Sequence, residues 1–280
     1  MSLNTANILV DVTRALDEDI GTGDVSAALL PSDLMVEAEI ISREPMLVCG
    51  KPWVDEVFRK VNPAIHLNWS VNDGDWLAHP ATLCRIKGLA KDILTAERTA
   101  LNFLQTLSAT ATQTYHYVQQ LKGTNVRLLD TRKTLPGLRY AQKYAVTCGG
   151  GSNHRMGLYD AFLIKENHIK ACGSISNAIK SARAYNHNLL VEIEVESIEE
   201  LHEALGSSPD RVLLDNFTLD MLKEAVAINQ PRRCYLEASG GIDLTTLKLV
   251  AATGVDYISV GSITKSIQAI DLSLLIRTTK

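Results

Sequence analysis

From about residue 123 onward, short apolar runs alternate with segments of helical periodicity. The apolar runs are rich in leucine and β-branched residues, which is typical of parallel strands buried on both faces. Amphipathic segments separate most of them, as expected of strand–helix–strand units. The predicted strands are 126–130, 161–165, 189–195, 211–215, 234–238 and 255–260, and the predicted helices are 139–148, 173–186, 197–205, 218–228 and 243–253.

Units of this kind form either a doubly wound sheet or a (β/α) barrel, and two patterns favour the barrel. The last two strands run into turns of small residues, ASGGID (238–243) and SVGSITKS (259–266), a common phosphate-binding arrangement. Six strands in about 140 residues fall short of a full eight-unit barrel, so we expect a compact or incomplete one. Charged residues also recur at strand ends, where barrel enzymes gather catalytic groups: Asp130, Lys165, Glu194, Asp215 and Glu237.

The pattern before about residue 110 is that of a separate α+β domain. We predict this domain over residues 1–110 and the barrel over 111–266, with a last helix in 267–280 packing back onto the first domain. Helical periodicity over 89–121 is too long for one ordinary helix, and we expect a break near 108–112, where Ser, Thr and Ala cluster. The other predicted elements are helices 5–18 and 51–61, strands 35–42, 64–70 and 81–87, and a turn at 71–77.

Composition restricts the possible partners. The chain has 280 residues, a net charge of −4 and a pI near 6.0, which argues against a nucleic-acid partner. No apolar run approaches the roughly 20 residues that span a bilayer, and the N-terminus carries acids where a secretory leader has lysines. Walker A, Rossmann and structural zinc motifs are absent from the sequence. The cysteines are odd in number and without a C-x-x-C pair, which predicts reduced thiols and a cytoplasmic location: Cys49, Cys84, Cys148, Cys172 and Cys234.

Basic residues concentrate in the middle of this acidic chain. Residues 127–170 contain eight lysines and arginines against three acids. Arg132 and Lys133 directly follow a predicted strand, and Lys165 ends another, so we expect all three at the barrel mouth. Arg139 and Lys143 have the i, i+4 spacing of a solvated helix face.

Two further motifs have both a functional and a structural interpretation. The loop CGGGSNHR (148–155) is either a flexible connector or a mobile support that presents His154 and Arg155 to an anion. The motif VEIEVES (191–197) puts three glutamates on one strand face, which is either an exposed acidic edge or an inward face whose first glutamate, Glu192, pairs with Lys165. In the second case Glu194 and Asp215 could hold ribose hydroxyls or Mg²⁺.

Eight motifs occur together and in order from about residue 8 to 270, and their combination closely resembles the quinolinate phosphoribosyltransferase family of type II phosphoribosyltransferases. Two small departures from the family pattern, Ala109 and Ser26, leave the expected activity unchanged. The motifs are EDIGTGDVS (18–26), ERTALNFLQTLSATAT (97–112), LDTRKTLPGLR (129–139), CGGGSNHRMGLYDAFLIKENH (148–168), VEIEVES, LLDN (213–216), EASGGI (237–242) and SVGSITKS.

The resemblance implies an N-terminal α+β sandwich and an open, incomplete (β/α) barrel. It implies the reaction of quinolinate with phosphoribosyl pyrophosphate to nicotinate mononucleotide, pyrophosphate and CO₂, in the synthesis of NAD, with Mg²⁺ and no redox cofactor. It also implies a homodimer, which in some family members assembles into a hexamer. In this dimer the neighbouring subunit supplies Arg98 to each site.

The resemblance assigns roles to the matching residues of this sequence. The expected quinolinate ligands are Arg98, Arg132, His154, Arg155 and Lys165. Lys133, Lys165, Glu194 and Asp215 are the expected catalytic residues, the last two also holding magnesium. The expected ligands of phosphoribosyl pyrophosphate are Lys133, Glu194, Asp215, Ser239, Gly240, Gly241, Gly261, Ser262 and Lys265.

Three alternatives stay open at this point. One is a Schiff-base lyase with Lys165 as the nucleophile on a phosphate-binding barrel. A second is a relative that keeps the anion pocket only for binding, and a third is a transferase that uses nicotinate. The number of cations favours a dicarboxylate, and the intact set of motifs favours catalysis.

Overall fold

A computed structural model describes residues 3–277, which form two compact units. The first unit contains the described residues up to Tyr115, together with Leu135–Gly150 and those from Ser266 onward. The second unit contains His116–Thr134 and Gly151–Lys265. The ends of the predicted segments 1–110 and 267–280 lie outside the described residues. None of the described helices has both the length and the apolar character needed to cross a membrane.

Helices and strands of the first part of the chain largely follow the predicted order. A short 3₁₀ turn at Ala27–Leu29 and the two-residue strands β2 and β4 are additional. The elements are α1 (Thr5–Ile20), β1 (Met35–Ser42), β2 (Met46–Leu47), α2 (Lys51–Val61), β3 (His66–Trp69), β4 (Trp76–Leu77), β5 (Ala81–Leu89) and α3 (Ala90–Gln120).

The remaining elements alternate between strands and helices, as predicted from the apolar runs. They are β6 (Arg127–Leu129), α4 (Arg139–Cys148), β7 (Phe162–Ile164), α5 (Glu166–Cys172), α6 (Ile175–Tyr185), β8 (Val191–Val195), α7 (Ile198–Gly206), β9 (Arg211–Asp215), α8 (Leu219–Ile228), β10 (Tyr235–Ser239), α9 (Leu247–Ala251), β11 (Tyr257–Ser259), α10 (Ser262–Lys265) and β12 (Leu272–Arg277).

The first unit is built on an antiparallel sheet with the strand order β12-β1-β5-β3. Side chains alternate across β1, so Val36, Ala38 and Ile40 all face the core. Helix α1 presents Ile8, Val12 and Leu16 to the same core at a spacing of four residues, the pattern of an amphipathic helix. Burying each such aliphatic side chain contributes about 1.5–3 kcal/mol.

Helix α3 is one continuous helix, so the break predicted near 108–112 is wrong. The small residues there are buried and serve for close packing instead. Gly149 approaches them so closely that a Cβ atom on it would lie 2.6 Å from the Ala111 carbonyl oxygen. The hydroxyls find partners without unwinding the helix: Ser108 donates to the Cys49 carbonyl, and Thr114 donates to the Thr110 carbonyl.

The second unit has a six-stranded parallel sheet with the order β6-β11-β10-β9-β8-β7. No pairing among the described residues joins β6 to β7, so the sheet is open. The predicted α/β architecture, an N-terminal sheet domain and an incomplete barrel-like unit, is confirmed. Interior strands are buried on both faces: Val212, Leu213 and Leu214 of β9 have almost no exposed surface.

Several local predictions differ from the structure. The last segment forms strand β12, antiparallel to β1, and not a helix. The predicted helix 173–186 is preceded by α5, which ends at Gly173 with a φ of 87°. The predicted helix 243–253 shortens to α9, because the Asp243 carboxylate accepts backbone hydrogen bonds from Thr245 and Thr246 and shapes a turn there. Lys143, expected on a solvated face, is fully buried.

Candidate active site

Two cavities lie at the carboxyl ends of the parallel strands of the second unit. The larger, of about 410 Å³, contains most of the predicted charged residues and is called the cationic cavity below. The smaller, of about 360 Å³, lies among the turns after β9, β10 and β11 and is called the glycine-rich cavity. Five residues line both cavities: Thr131, Lys133, Asp215, Ser239 and Ser259.

Four cationic side chains line the cationic cavity: Arg132, Lys133, Arg155 and Lys165. These are half of the eight cations counted between residues 127 and 170. Desolvation and the nearby Arg132 guanidinium lower the pKa of Arg155 from its ordinary value. Two guanidinium groups that repel one another in a partly buried place favour the binding of an anion between them.

Buried Asp130 holds the loop that carries His154 and Arg155. It follows β6, and its carboxylate accepts hydrogen bonds from the His154 backbone N–H at 2.8 Å and from the Asn153 amide at 2.7 Å. The Arg155 guanidinium in turn donates to the Ala161 carbonyl at 3.2 Å. The glycine triplet therefore leads into a loop that is fixed by hydrogen bonds, and the interpretation as a flexible connector is not supported.

Lys165 pairs with Glu194, and the pairing with Glu192 expected from the sequence is wrong. The parallel register of β7 and β8 explains the difference. Leu163 lies opposite Glu192 and Ile164 lies opposite Ile193, so Lys165 reaches the level of Glu194. Strand β8 lies between β7 and β9, which also excludes the exposed acidic edge.

A buried charge cluster lies at the floor of the cationic cavity. Glu192 on β8 and Glu237 on β10 have no exposed surface. Arg211 starts the intervening strand β9 and donates a hydrogen bond to Glu237 at 2.9 Å, while its guanidinium carbon lies 4.3 Å from the centre of the Tyr257 ring. Arg211 therefore offsets part of the charge of these carboxylates, at 2.9 Å from Glu237 and 3.9 Å from Glu192.

His154 belongs to the same cluster. Its Nε2 lies 2.7 Å from Glu192 and 3.7 Å from Glu237, and its Nδ1 accepts the Arg155 backbone N–H at 2.7 Å. Because Nδ1 accepts this hydrogen bond, Nε2 is the ring nitrogen directed at the glutamates. His154 thus supports the cavity floor and fixes the backbone of Arg155, while its predicted contact with a substrate stays a prediction.

Burial raises the pKa of both glutamates to about 7. For Glu237 the neighbouring Glu192 carboxylate adds to the effect, and His154 and Arg211 oppose it. The cluster therefore holds a proton near neutral pH that exposed glutamates would have released.

The glycine-rich cavity brings together the predicted phosphate ligands. Gly240 has a φ of 100°, and a Cβ atom there would lie 2.1 Å from the Asn216 side-chain oxygen, so this position requires glycine. The Lys133 side chain lies against Gly261, and the Lys133 backbone carbonyl accepts a hydrogen bond from the Thr264 hydroxyl at 2.7 Å. The predicted phosphate ligands that line the glycine-rich cavity include Ser239, Gly240, Gly241, Gly261, Ser262 and Lys265.

Three carboxylates, those of Glu194, Glu196 and Asp215, lie close together at the strand ends. One oxygen of each lies within 4.8 Å of the others. Oxygen donors of this kind suit Mg²⁺, so the two residues predicted to hold magnesium fit such an ion. Glu196 is an additional candidate, exposed at the end of the same strand face.

Arg98 does not line either cavity. It lies exposed on α3 in the first unit. Every other residue with a predicted site role lines at least one of them.

Comparison with known proteins identifies the family. Residues 24–108 match the N-terminal domain of quinolinate phosphoribosyl transferase, and residues 110–275 match its C-terminal domain. The chain belongs to the quinolinate phosphoribosyltransferase family. Both the resemblance found in the motifs and the expected enzyme class are thereby confirmed.

Relatives of this phosphoribosyltransferase share nearly its whole length. A probable nicotinate-nucleotide pyrophosphorylase (carboxylating) of Bacillus subtilis is 40% identical over 92% of this chain and 89% of its own length. Its counterpart in Mycobacterium leprae is 40% identical over 94% and 95%. The structure of the enzyme from Francisella tularensis has 45% identity and a TM-score of 0.95, covering 99% of this chain and 98% of its own.

Sequence reasoning missed the supporting residues of this transferase site. Arg211 opens its strand, at the end opposite the expected catalytic edge, and no local pattern shows that it reaches two other strands. Asp130 and Glu237 lie at predicted strand ends, but no local pattern indicates which residues they contact. Asn216 has a φ of 56°, a conformation that asparagine tolerates, and its place in LLDN was the only available signal.

Glu237→Gln tests the buried charge cluster through the pH dependence of stability. The folded transferase binds a proton at Glu237 between its unfolded pKa of 4.5 and its folded pKa of about 7, where the unfolded chain has released it. This contribution to the free energy of unfolding is therefore full below about pH 4.5 and falls as pH rises through about 7. We expect the variant to gain stability relative to the parent as pH rises from about 5 to 8.

Urea unfolding at each pH measures this effect. Glu224→Gln is the matched control, because Glu224 is exposed on α8 of the same unit, and it should leave the profile unchanged. Parallel profiles for the parent and Glu237→Gln would contradict the raised pKa of Glu237.

Proposed function

We propose that this transferase moves the phosphoribosyl group of phosphoribosyl pyrophosphate to the ring nitrogen of quinolinate, with loss of the 2-carboxylate as CO₂. The products are nicotinate mononucleotide and pyrophosphate, and the reaction serves the synthesis of NAD. The curated relatives named above carry the activity of a nicotinate-nucleotide pyrophosphorylase.

The observation that carries this proposal is the cationic cavity. Quinolinate presents two adjacent carboxylates on a planar ring, and Arg132, Arg155 and Lys165 together offer two forks and one point charge. Desolvation and the nearby Arg132 guanidinium lower the pKa of Arg155, and a bound dianion would offset both effects. A monocarboxylate such as nicotinate would engage only one of the two guanidinium forks.

The glycine-rich cavity suits the 5′-phosphate of the second substrate. The turns after β10 and β11 have no side chains at Gly240, Gly241 and Gly261, so their backbone N–H groups could donate to a phosphate, and Ser262 adds a hydroxyl donor. Because Asp215 and Lys133 line both cavities, a ribose would lie between them, with its reacting carbon directed toward the pyridine nitrogen. Holding both substrates in line removes much of the entropic barrier.

The protein's part in the chemistry is orientation and charge stabilisation. Departure of pyrophosphate leaves an oxocarbenium-like ribose, which the carboxylates of Glu194 and Asp215 would stabilise, while Lys133 and Lys265 neutralise the leaving group. After the glycosidic bond forms, the bond between ring carbon C2 and its carboxylate breaks and CO₂ leaves. The electron pair stays on C2 as an ylide that the adjacent pyridinium charge stabilises, and C2 then takes up a proton from water. This chemistry needs no redox cofactor.

Magnesium is part of the proposal. Glu194 and Asp215 would hold the ion, which would neutralise phosphate charge when bound. Glu194 pairs with Lys165, and both side chains line the cationic cavity.

The proposed enzyme is a cytoplasmic homodimer with shared sites. Arg98 is exposed and lines neither cavity, which supports its role as a residue given to a neighbouring subunit's site. The cytoplasmic location rests on the pattern of the cysteines, all five of which are free thiols.

A Schiff-base lyase is less well supported. Its nucleophile would have to be the Lys165 amine, which is engaged by the Glu194 carboxylate. It would also leave the two guanidinium groups without a role.

Separate incubations with quinolinate and with nicotinate test the proposed reaction. With Mg²⁺ and phosphoribosyl pyrophosphate, we expect pyrophosphate and CO₂ from quinolinate, little turnover of nicotinate, and loss of activity on chelation. The release of pyrophosphate and CO₂ is followed with labelled substrates. Turnover of nicotinate but not quinolinate would overturn the proposal, and borohydride trapping of a labelled protein would favour the lyase.

Mixing inactive variants tests the sharing of sites. Arg98→Ala and Lys165→Ala dimers, exchanged with one another, should recover about a quarter of parent activity, because half of the dimers are mixed and each has one complete site. Arg132→Ala mixed with Lys165→Ala is the control and should recover nothing, since those residues line the same cavity of one chain. No recovery in the first mixture, with subunit exchange verified by mass, would sink the shared site.

A further inference from the structure

Two cysteines that are distant in the sequence lie together in the first unit, outside both cavities. Cys49 precedes α2, and Cys148 is the last residue of α4. Their sulfur atoms and a carboxylate oxygen of Asp73 all lie within 4.8 Å of one another. Nothing in the proposed reaction uses these groups.

The carboxylate in this group is already occupied by protein donors. Asp73 accepts the backbone N–H groups of Gly50 and Lys51, both at 3.1 Å, and the hydroxyl of Tyr144 at 2.8 Å. It thereby fixes the start of α2 and the side of α4. The chemistry that remains is that of the two thiols.

The two thiols differ in reactivity. Cys148 is partly exposed, and a hydrogen bond from the Cys49 thiol lowers its pKa, although desolvation opposes this effect. Cys49 is completely buried, and desolvation raises its pKa. A more acidic, accessible thiol beside a buried one is the arrangement of an attacking and a resolving cysteine.

The backbone around both residues is held in place. The Ser108 hydroxyl accepts the Cys49 N–H and donates to the Cys49 carbonyl, both at 3.0 Å. Gly149, directly after Cys148, packs against α3 so closely that a Cβ atom would lie 2.6 Å from Thr114. Rotation of the Cys148 side chain would then bring the two sulfur atoms to the bonding distance of about 2.05 Å.

We propose that Cys49 and Cys148 form a site of reversible oxidation, at which hydrogen peroxide drives closure of an intramolecular disulfide. The Cys148 thiolate attacks one peroxide oxygen, breaking the O–O bond and giving a sulfenic acid and, after proton uptake, water. The Cys49 thiol then attacks the Cys148 sulfur and releases a second water. Two thiols and one peroxide give one disulfide and two waters, and a dithiol reductant reverses the change.

The disulfide would restrain the start of the loop that carries His154 and Arg155, because only Gly149–Asn153 separate that pair from Cys148. The oxidation site itself does not depend on the proposed activity, since mass measurement detects it without substrate.

Peptide mapping of the parent protein is the decisive test. After treatment with one equivalent of hydrogen peroxide, the expected result is a mass loss of two hydrogen atoms, three of five thiols still open to alkylation in denaturant, and one peptide joining Cys49 to Cys148. Cys84 and Cys234, whose pKa values burial raises to about 12 and about 11, should stay reduced. A disulfide at any other pair, or oxidation of exposed Cys172 alone, would overturn the proposal.

Variants separate the two steps. Cys49→Ser should stop at a sulfenic acid on Cys148, detected as a dimedone adduct, whereas Cys148→Ser should give neither adduct nor disulfide at this pair. Cys172→Ser is the matched control and should form the disulfide as the parent does. A dimedone adduct on Cys49 in the Cys148→Ser protein would reverse the assigned roles, and no adduct in Cys49→Ser would contradict the mechanism.

Discussion

The arrangement of charged groups at the functional edge of the parallel sheet depends on two glutamates without exposed surface, Glu192 and Glu237. A carboxylate taken out of water costs several kcal/mol unless it is paired or protonated. Arg211, on the strand between them, supplies a compensating positive charge to Glu237, and the His154 ring contacts Glu192. Because the His154 ring accepts the backbone N–H of Arg155, the buried cluster also fixes the backbone of a cation that lines the cavity.

The cationic cavity lies directly above this cluster and interacts with it. Glu192 acts on Arg155, yet desolvation and the nearby Arg132 guanidinium lower the pKa of Arg155 from its ordinary value, which favours the binding of an anion beside it. Lys165 pairs with Glu194 across the β7–β8 register. In the neighbouring turns Gly240 occupies a position where a side chain would collide with Asn216, and the lack of side chains at the glycines leaves room for a phosphate. A dicarboxylate and a phosphoribosyl group therefore have separate places in one site.

Much of this could be predicted from the sequence. The apolar runs indicated the parallel strands, because burial on both faces leaves a continuous apolar pattern, and residues after strands were correctly expected at one edge. Partners across strands could not be predicted, because register decides them: Lys165 was assigned the wrong glutamate, and Arg211 received no role. The cluster at 108–112 indicated a helix break, but whether small residues break a helix or let a neighbour pack closely depends on tertiary contacts.

A crystal structure with nicotinate mononucleotide tests the central claim most directly, because this molecule carries one group for each cavity. The account predicts its phosphate at Gly240, Gly241 and Gly261 and its pyridine carboxylate beside Arg132 and Arg155. The reverse orientation, or a phosphate on the two arginines, would contradict the division of the site into a dicarboxylate side and a phosphate side.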